Sequence, residues 1–271
     1  MSRRRIAALA LALAATACLA LAGALARKGV PAGLIHARAA GPALVLPPAE
    51  RVFPAPGAPL RLSVLGTSLS ARNAWPRELA ARLDACRPGG TALRVTARPG
   101  AGSRWGLGAA PEAAAPMMAS PITADRNSAD DGAAPPDVLL VEFAINDASL
   151  ARLDGVAAST ARMAAILDLA QAAGVGEVWL LTMSPAWGRE RLERPGLDAY
   201  LDAHAALFRA RGAGVLDTVP AWRALSPAIR AAEVPDGLHP TDAATRLVLV
   251  PALAEALAGR PCDASRATPP E

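Results

Sequence analysis

From position 60 onward the chain alternates between short apolar runs and longer stretches whose apolar residues recur at helical spacing. The runs "LRLSVLG" (60–66), "TALRVTA" (91–97), "DVLLVEFA" (137–144), "EVWLLTM" (177–183) and "AGVLDT" (213–218) have the length and composition of strands. Between them 75–86, 156–173 and 197–211 carry the helical pattern, as does 242–258 at the end. That alternation predicts a parallel sheet covered by helices on both faces. The stretches "VLL" and "WLL" are apolar without a two-residue alternation, the pattern of strands buried on both sides rather than of an antiparallel sandwich.

Three segments break the rhythm. Residues 27–60 repeat Pro, Gly and Ala with no sustained period and read as a linker, which places the start of the domain near Arg61 and its end near 260, with 261–271 as a tail. Residues 107–136 are proline-rich and polar in their second half, and read as a surface excursion beside the sheet edge, either a flap on the site or a variable loop. Residues 1–26, "MSRRRIAALALALAATACLALAGALA", join an arginine cluster to an unbroken apolar run and end in Ala24-Leu25-Ala26, a small-x-small cleavage pattern. This segment is an export signal, or an uncleaved anchor in which residues 6–26 tether the chain to a membrane. Either way the expected location is outside the cytoplasm, periplasmic or secreted. Cys18 follows Ala15-Thr16-Ala17, a poor lipoprotein box.

The formal charge of +4 includes Arg3, Arg4 and Arg5 in that segment; without them it is +1, and no basic stripe interleaved with aromatics supports a nucleic-acid partner. An apolar fraction of 52% over 271 residues is enough for one sizeable core. Beyond Cys18, Cys86 ends the first predicted helix of the domain and Cys262 follows the last. In an exported chain the pair invites a disulfide, which neighbouring helices would allow; two free thiols are the open alternative.

The residues with chemical potential gather at strand ends on the carboxyl side, where open α/β sheets bind ligands. They are "GTSLS" after the first run, "RPGAGS" after the second, "AINDA" after the third and "VPDGLHP" before the last helix. Ser68 is a candidate nucleophile, although with this stretch taken alone a hydroxyl at Ser68 or Ser70 reads first as a helix cap. Pro99-Gly100 alone reads as a turn, Asn146-Asp147 as a helix entry and Asp236-Gly237 as a tight loop.

Taken together and in this order, Gly66-Thr67-Ser68-Leu69-Ser70, Gly100, Asn146-Asp147 and Asp236-Gly237-Leu238-His239-Pro240 resemble the four blocks of the SGNH (GDSL) hydrolase family. "AWPRELA" is similar to that family's first helix, and "TMSPAWG" to its fourth strand and loop. The resemblance spans most of 61–258. It implies a flavodoxin-like three-layer αβα sandwich with a five-stranded parallel sheet of order 2-1-3-4-5, and a serine esterase or lipase activity. Thr67 stands where the family usually has aspartate, and Ala144 where it often has glycine, departures that bear on substrate range and loop packing.

The side chains suit that chemistry. A serine hydroxyl needs a base to take its proton, and histidine serves best near neutral pH. Of the three histidines, His36 falls in the linker and His204 in mid-helix, where surface packing is its expected role, which leaves His239. Asp236, three residues earlier, can orient the imidazole from a tight loop. The resemblance assigns an oxyanion hole to the backbone N–H groups of Ser68 and Gly100 and the amide of Asn146. Asp147 is expected to tie the asparagine loop together, without a catalytic part. Trp105 and Trp187 lie in loops after strands, where each either packs in the core or stacks on a sugar ring. No metal-ligand set and no dinucleotide fingerprint is readable: "GAGSRWG" follows a strand but precedes no convincing helix, so no cofactor is expected. The resemblance of "VEFAINDA" to bacterial members acting on glycans implies an exported esterase for a short acyl group, such as acetyl, on a carbohydrate. The alternatives are a lipase, thioesterase or acyltransferase using the same site, or an inactive carbohydrate-binding envelope protein.

Overall fold

The computed structural model describes residues 3–30, 39–51, 54, 57–87, 89–118 and 133–258. In chain order the elements are α1 (Arg3–Arg27), β1 (Leu44–Leu46), β2 (Leu60–Gly66), α2 (Ser68–Ala71), α3 (Trp75–Cys86), β3 (Thr91–Ala97), α4 (Ser103–Ala114), β4 (Val138–Val141) and α5 (Ala144–Asp147). They continue with α6 (Val156–Ala172), β5 (Glu177–Thr182), α7 (Gly188–Glu193), α8 (Leu197–Ala210), β6 (Gly214–Asp217), α9 (Val219–Ala224), α10 (Pro227–Glu233) and α11 (Asp242–Ala258).

The sheet runs β1-β6-β5-β4-β2-β3, parallel from β3 to β6. Its five parallel strands have the expected 2-1-3-4-5 order. Alternate residues of each strand feed opposite cores. Leu62 and Val64 of β2, Leu140 of β4, Trp179 of β5 and Leu216 of β6 join α3 and α11 on one face. Leu65, Leu139, Val141, Leu180 and Val215 join α4, α6 and α8 on the other. This double burial is why the strands read as unbroken apolar runs. Each fully buried leucine or valine contributes roughly 1.5–3 kcal/mol.

Two sequence expectations are corrected. The sheet has a sixth strand: β1 pairs antiparallel with β6 from within the stretch read as a linker. Arg51, in the same stretch, donates to the buried Glu177 carboxylate at 2.9 Å. The second correction is in 107–136, whose start is helical because α4 continues to Ala114 despite Pro111, which forfeits one intrahelical bond. Residues 119–132 lie outside the described set. Among the described residues α1 is the one helix long and apolar enough to cross a membrane, and its apolar stretch is unburied. Helices α3 and α11 pack together and Cys86 is disulfide-bonded; Cys262 lies outside the described residues, and Cys18 is a free, exposed thiol.

At the β5–β6 pairing Trp179 faces Gly214, and a Cβ on that glycine would come within 2.4–2.8 Å of the indole. Gly214→Ala should therefore destabilise the fold by about 1–3 kcal/mol through overpacking. A urea unfolding midpoint unchanged from wild type would contradict this account of the strand.

Candidate active site

The parallel strand β2 ends at Gly66, and the chain turns at once into the single-turn helix α2. Thr67 is its N-cap, with its hydroxyl accepting the Leu69 N–H at 3.2 Å. Capping is thus done by Thr67, and Ser68, at the first helical position, has its hydroxyl free to point elsewhere. Ser70 is not a cap either: its hydroxyl donates to the Glu142 carboxylate at 2.8 Å. Glu142 is buried beneath this turn and also accepts the Thr67 N–H at 2.6 Å and the Thr67 hydroxyl at 3.0 Å. Gly66 makes room for it, since a Cβ there would meet the Glu142 Oε1 at 2.4 Å. Where the resembling family carries an aspartate at position 67, this chain supplies the carboxylate from the end of β4.

Ser68 Oγ lies 2.8 Å from His239 Nε2, and His239 Nδ1 lies 2.6 Å from Asp236 Oδ2. The loop is shaped by the same carboxylate, whose Oδ1 accepts the N–H groups of Leu238 at 2.9 Å and His239 at 2.7 Å. Partial burial pushes the Asp236 carboxyl up, but the backbone and ring N–H groups of His239, with Leu238 N–H, outweigh it and hold it below its ordinary value. Gly237 adopts φ +78° and its carbonyl accepts the Trp187 N–H at 2.7 Å. Asn73 clasps the far side, donating to the Pro240 carbonyl at 2.7 Å. With Asp236 on one ring nitrogen, the other faces the Ser68 hydroxyl.

The remaining two predicted residues face each other across a second pair of loops. Arg98-Pro99-Gly100-Ala101 closes a turn through Ala101 N–H to Arg98 carbonyl at 3.0 Å, with Pro99 second and Gly100 third at φ +71°, the residue pattern of a type II turn. Asn146 is buried in α5, and its amide donates to the Ala101 carbonyl at 2.7 Å. That bond ties the glycine turn to the asparagine loop.

A buried polar scaffold lies under this loop. Asp147 Oδ1 accepts the Ser103 N–H at 2.9 Å at the start of α4, an approach that Gly102 permits because a Cβ there would meet the carboxylate at 2.3 Å. Asp147 Oδ2 accepts the Ser159 hydroxyl at 2.5 Å, and Ser159 Oγ in turn lies 2.9 Å from His204 Nε2. The serine proton goes to the carboxylate, so His204 donates from Nε2 and keeps Nδ1 unprotonated and unpartnered. Burial lowers its pKa to about 4 against the pull of Asp147. His204 is fully buried, which corrects its expected place on the surface; it pairs with Ser159, a contact no local pattern displays. Arg194 Nε adds a bond to the Ile145 carbonyl at 2.8 Å.

Trp105 sits half-buried in the first turn of α4, edge-on to Phe143 with centroids 6.4 Å apart, and the Arg98 guanidinium lies 5.1 Å from its ring centre. Trp187 is half-buried beneath the Arg230 guanidinium, 4.5 Å from its ring centre. His36 lies outside the described residues. Glu142 escaped the sequence reading, although a lone acid closing an otherwise apolar run is a visible signal.

The fold and the site together define a hydrolase of the flavodoxin-like type, with its candidate nucleophile at the carboxyl edge of the sheet. The chain matches the GDSL-like Lipase/Acylhydrolase family over residues 34–247 and belongs to it. Solved structures give the same fold. A lipase/acylhydrolase from Enterococcus faecalis superposes with a TM-score of 0.58 at 19% identity, over 78% of this chain and 99% of the other. A catalytic mutant of an acetylxylan esterase from Geobacillus stearothermophilus gives 0.55 at 16% identity, over 77% and 96%. An α/β hydrolase from the metagenome of Lake Arreo, Spain, gives 0.55 at 18%, over 76% and 96%. No curated protein matches the chain.

Burial raises the Glu142 pKa from its ordinary 4.5 to about 7, outweighing the hydrogen bonds from Thr67 and Ser70. A carboxyl whose pKa rises on folding favours the native state most below its unfolded value, and that contribution is lost as pH climbs through its folded value. Urea midpoints should thus show wild-type stability, measured against Glu142→Gln, falling between pH 4.5 and about 7 and then levelling. A difference independent of pH would show that Glu142 titrates normally in the fold.

Proposed function

We propose that the protein is an exported serine esterase that removes a short acyl group, acetyl in the first instance, from a carbohydrate. One observation carries the reading: Ser68, His239 and Asp236 form a continuous hydrogen-bonded chain of 2.8 and 2.6 Å. In this reading Ser68 Oγ attacks the ester carbonyl while His239 Nε2 takes its proton and Asp236 stabilises the imidazolium. Negative charge then collects on the carbonyl oxygen, where the N–H groups of Ser68 and Gly100 and the Asn146 amide receive it. His239 returns the proton to the departing alcohol, leaving Ser68 acylated, and water admitted by the same base releases the acid.

Family membership supports an ester substrate. The acetylxylan esterase among the structural neighbours suits the choice of an acetylated glycan, and α1 suits export, as a signal or as a retained anchor. The contact of Trp105 with Arg98 of the Gly100 turn, 5.1 Å from its ring centre, supports Trp105 as the aromatic that flanks a sugar ring. Trp187 braces the His239 loop through its backbone, which makes it the weaker candidate for substrate contact.

Hydrolysis of p-nitrophenyl acetate should fall to background in Ser68→Ala, and Asn146→Ala should lose about a hundredfold to a thousandfold in kcat. Full activity in Ser68→Ala would remove the nucleophile assignment. Across p-nitrophenyl esters from acetyl to palmitoyl, kcat/KM should be highest at acetyl. A maximum at long chains would turn the reading to a lipase.

A further inference from the structure

The foot of α1 is built into the domain. Leu25 packs against the apolar core beside the start of α8, where a Cβ on Gly196 would lie 3.5 Å from its methyl group. Val30 is buried against Gly196, where a Cβ would come within 2.6 Å of its methyl group. Between them lies Lys28, the only lysine in the chain, with 7% of its surface exposed. Its carbonyl accepts the Val156 N–H at 2.8 Å. Gly155 leaves that approach open, since a Cβ there would sit 3.2 Å from the same oxygen. The ammonium donates to the carbonyls of Asp147 at 3.0 Å and Ser149 at 2.9 Å, more than a hundred residues away in sequence. It also lies 5.4 Å from the centre of the Tyr200 ring.

Those two carbonyls stand at the carboxyl end of α5, the single turn that holds Asn146. A helix end leaves carbonyls without partners, and a helix of one turn has almost no stability of its own, so its geometry depends on what caps it. A buried ammonium is costly unless it is paired, and burial does lower the Lys28 pKa against the pull of Asp154 and Asp147. An apolar side chain would fill the same space without that cost but would leave the Asp147 carbonyl unmet, while that of Ser149 would keep only the Arg152 N–H at 3.0 Å. We propose that Lys28 is a positioning residue for Asn146, strapping the foot of α1 to the loop that presents the oxyanion amide. The proposal rests on the esterase reading for its catalytic consequence, while the strap itself is a property of the fold.

The test uses the full-length chain in mild detergent. Lys28→Met keeps the stem and removes the donors. It should lower kcat on p-nitrophenyl acetate about tenfold with KM within about twofold of wild type. Amide exchange across 144–150 should accelerate about tenfold in the same variant, while Lys28→Arg, which keeps charge and donors, recovers most of both. In an Asn146→Ala background Lys28→Met should cost less than about twofold, because the group it positions is gone. Gly155→Val, which displaces the Lys28 backbone without altering its charge, carries the same cycle should Lys28→Met fail to fold. A tenfold loss that persists in the Asn146→Ala background overturns the proposal, as does unchanged kcat with unchanged exchange. A wild-type protein with no Ser68-dependent hydrolysis overturns the esterase reading instead, and the exchange comparison then decides the strap alone.

Discussion

The hydrogen bond between Ser68 Oγ and His239 Nε2 joins residues 171 positions apart, and most of the architecture is needed to hold its two ends at 2.8 Å. One end is fixed by β2, whose buried side chains anchor it in both cores, and by the short turn of α2 that follows. The other is fixed by a loop folded around the Asp236 carboxylate, which accepts three N–H donors at once. Asn73 and Asp242 then lace the two loops together, through the Pro240 carbonyl at 2.7 Å and the Ala74 N–H at 2.7 Å. A flexible contact between such distant residues would cost more in chain entropy than a single hydrogen bond returns, so its geometry is bought by the packed sheet.

Beneath this surface the chain uses buried polar groups as rigid supports. Glu142 holds the turn that carries Ser68, Asp147 with Ser159 and His204 holds the asparagine loop, and glycines at 66 and 102 let each carboxylate approach the backbone. Such groups are tolerable in the interior because nearly all of their donors and acceptors are met, and a network of this kind specifies one arrangement of the loops rather than several. Hydrophobic packing places the strand ends, and the buried polar bonds set the loops on them.

Much of this was legible in the chain. The helices at 75–86 and 242–258 and the five parallel strands were readable because double burial writes uninterrupted apolar runs, and helix periodicity separates them. Three of the four motif blocks were legible because each follows a strand end, where topology brings them to one edge; the fourth, at 234–240, lies in the loop between α10 and α11 and was legible by its residues alone. What escaped is non-local or short. β1 has three residues, exposed Leu44 and Val45, and prolines close on its far side, so nothing in its text distinguishes it from a linker until β6 offers an edge. That α4 begins at Ser103 overturns the reading of "GAGSRWG" as preceding no convincing helix; Pro111 near its end and alanines and glycines that carry little periodicity hid it. His204 was assigned to the surface, and Lys28 fell inside the stretch read as a linker, because their partners, Ser159 and the carbonyls after Asn146, lie far away in sequence.

The central claim is that the Ser68 hydroxyl is made nucleophilic by His239, and covalent labelling reads that most directly. Treated with a fluorophosphonate and digested, the protein should carry a single adduct on the peptide containing Ser68, and His239→Ala, folded to the same melting temperature, should lose it. An adduct on another residue, or undiminished labelling of Ser68 in the His239→Ala variant, would contradict the account.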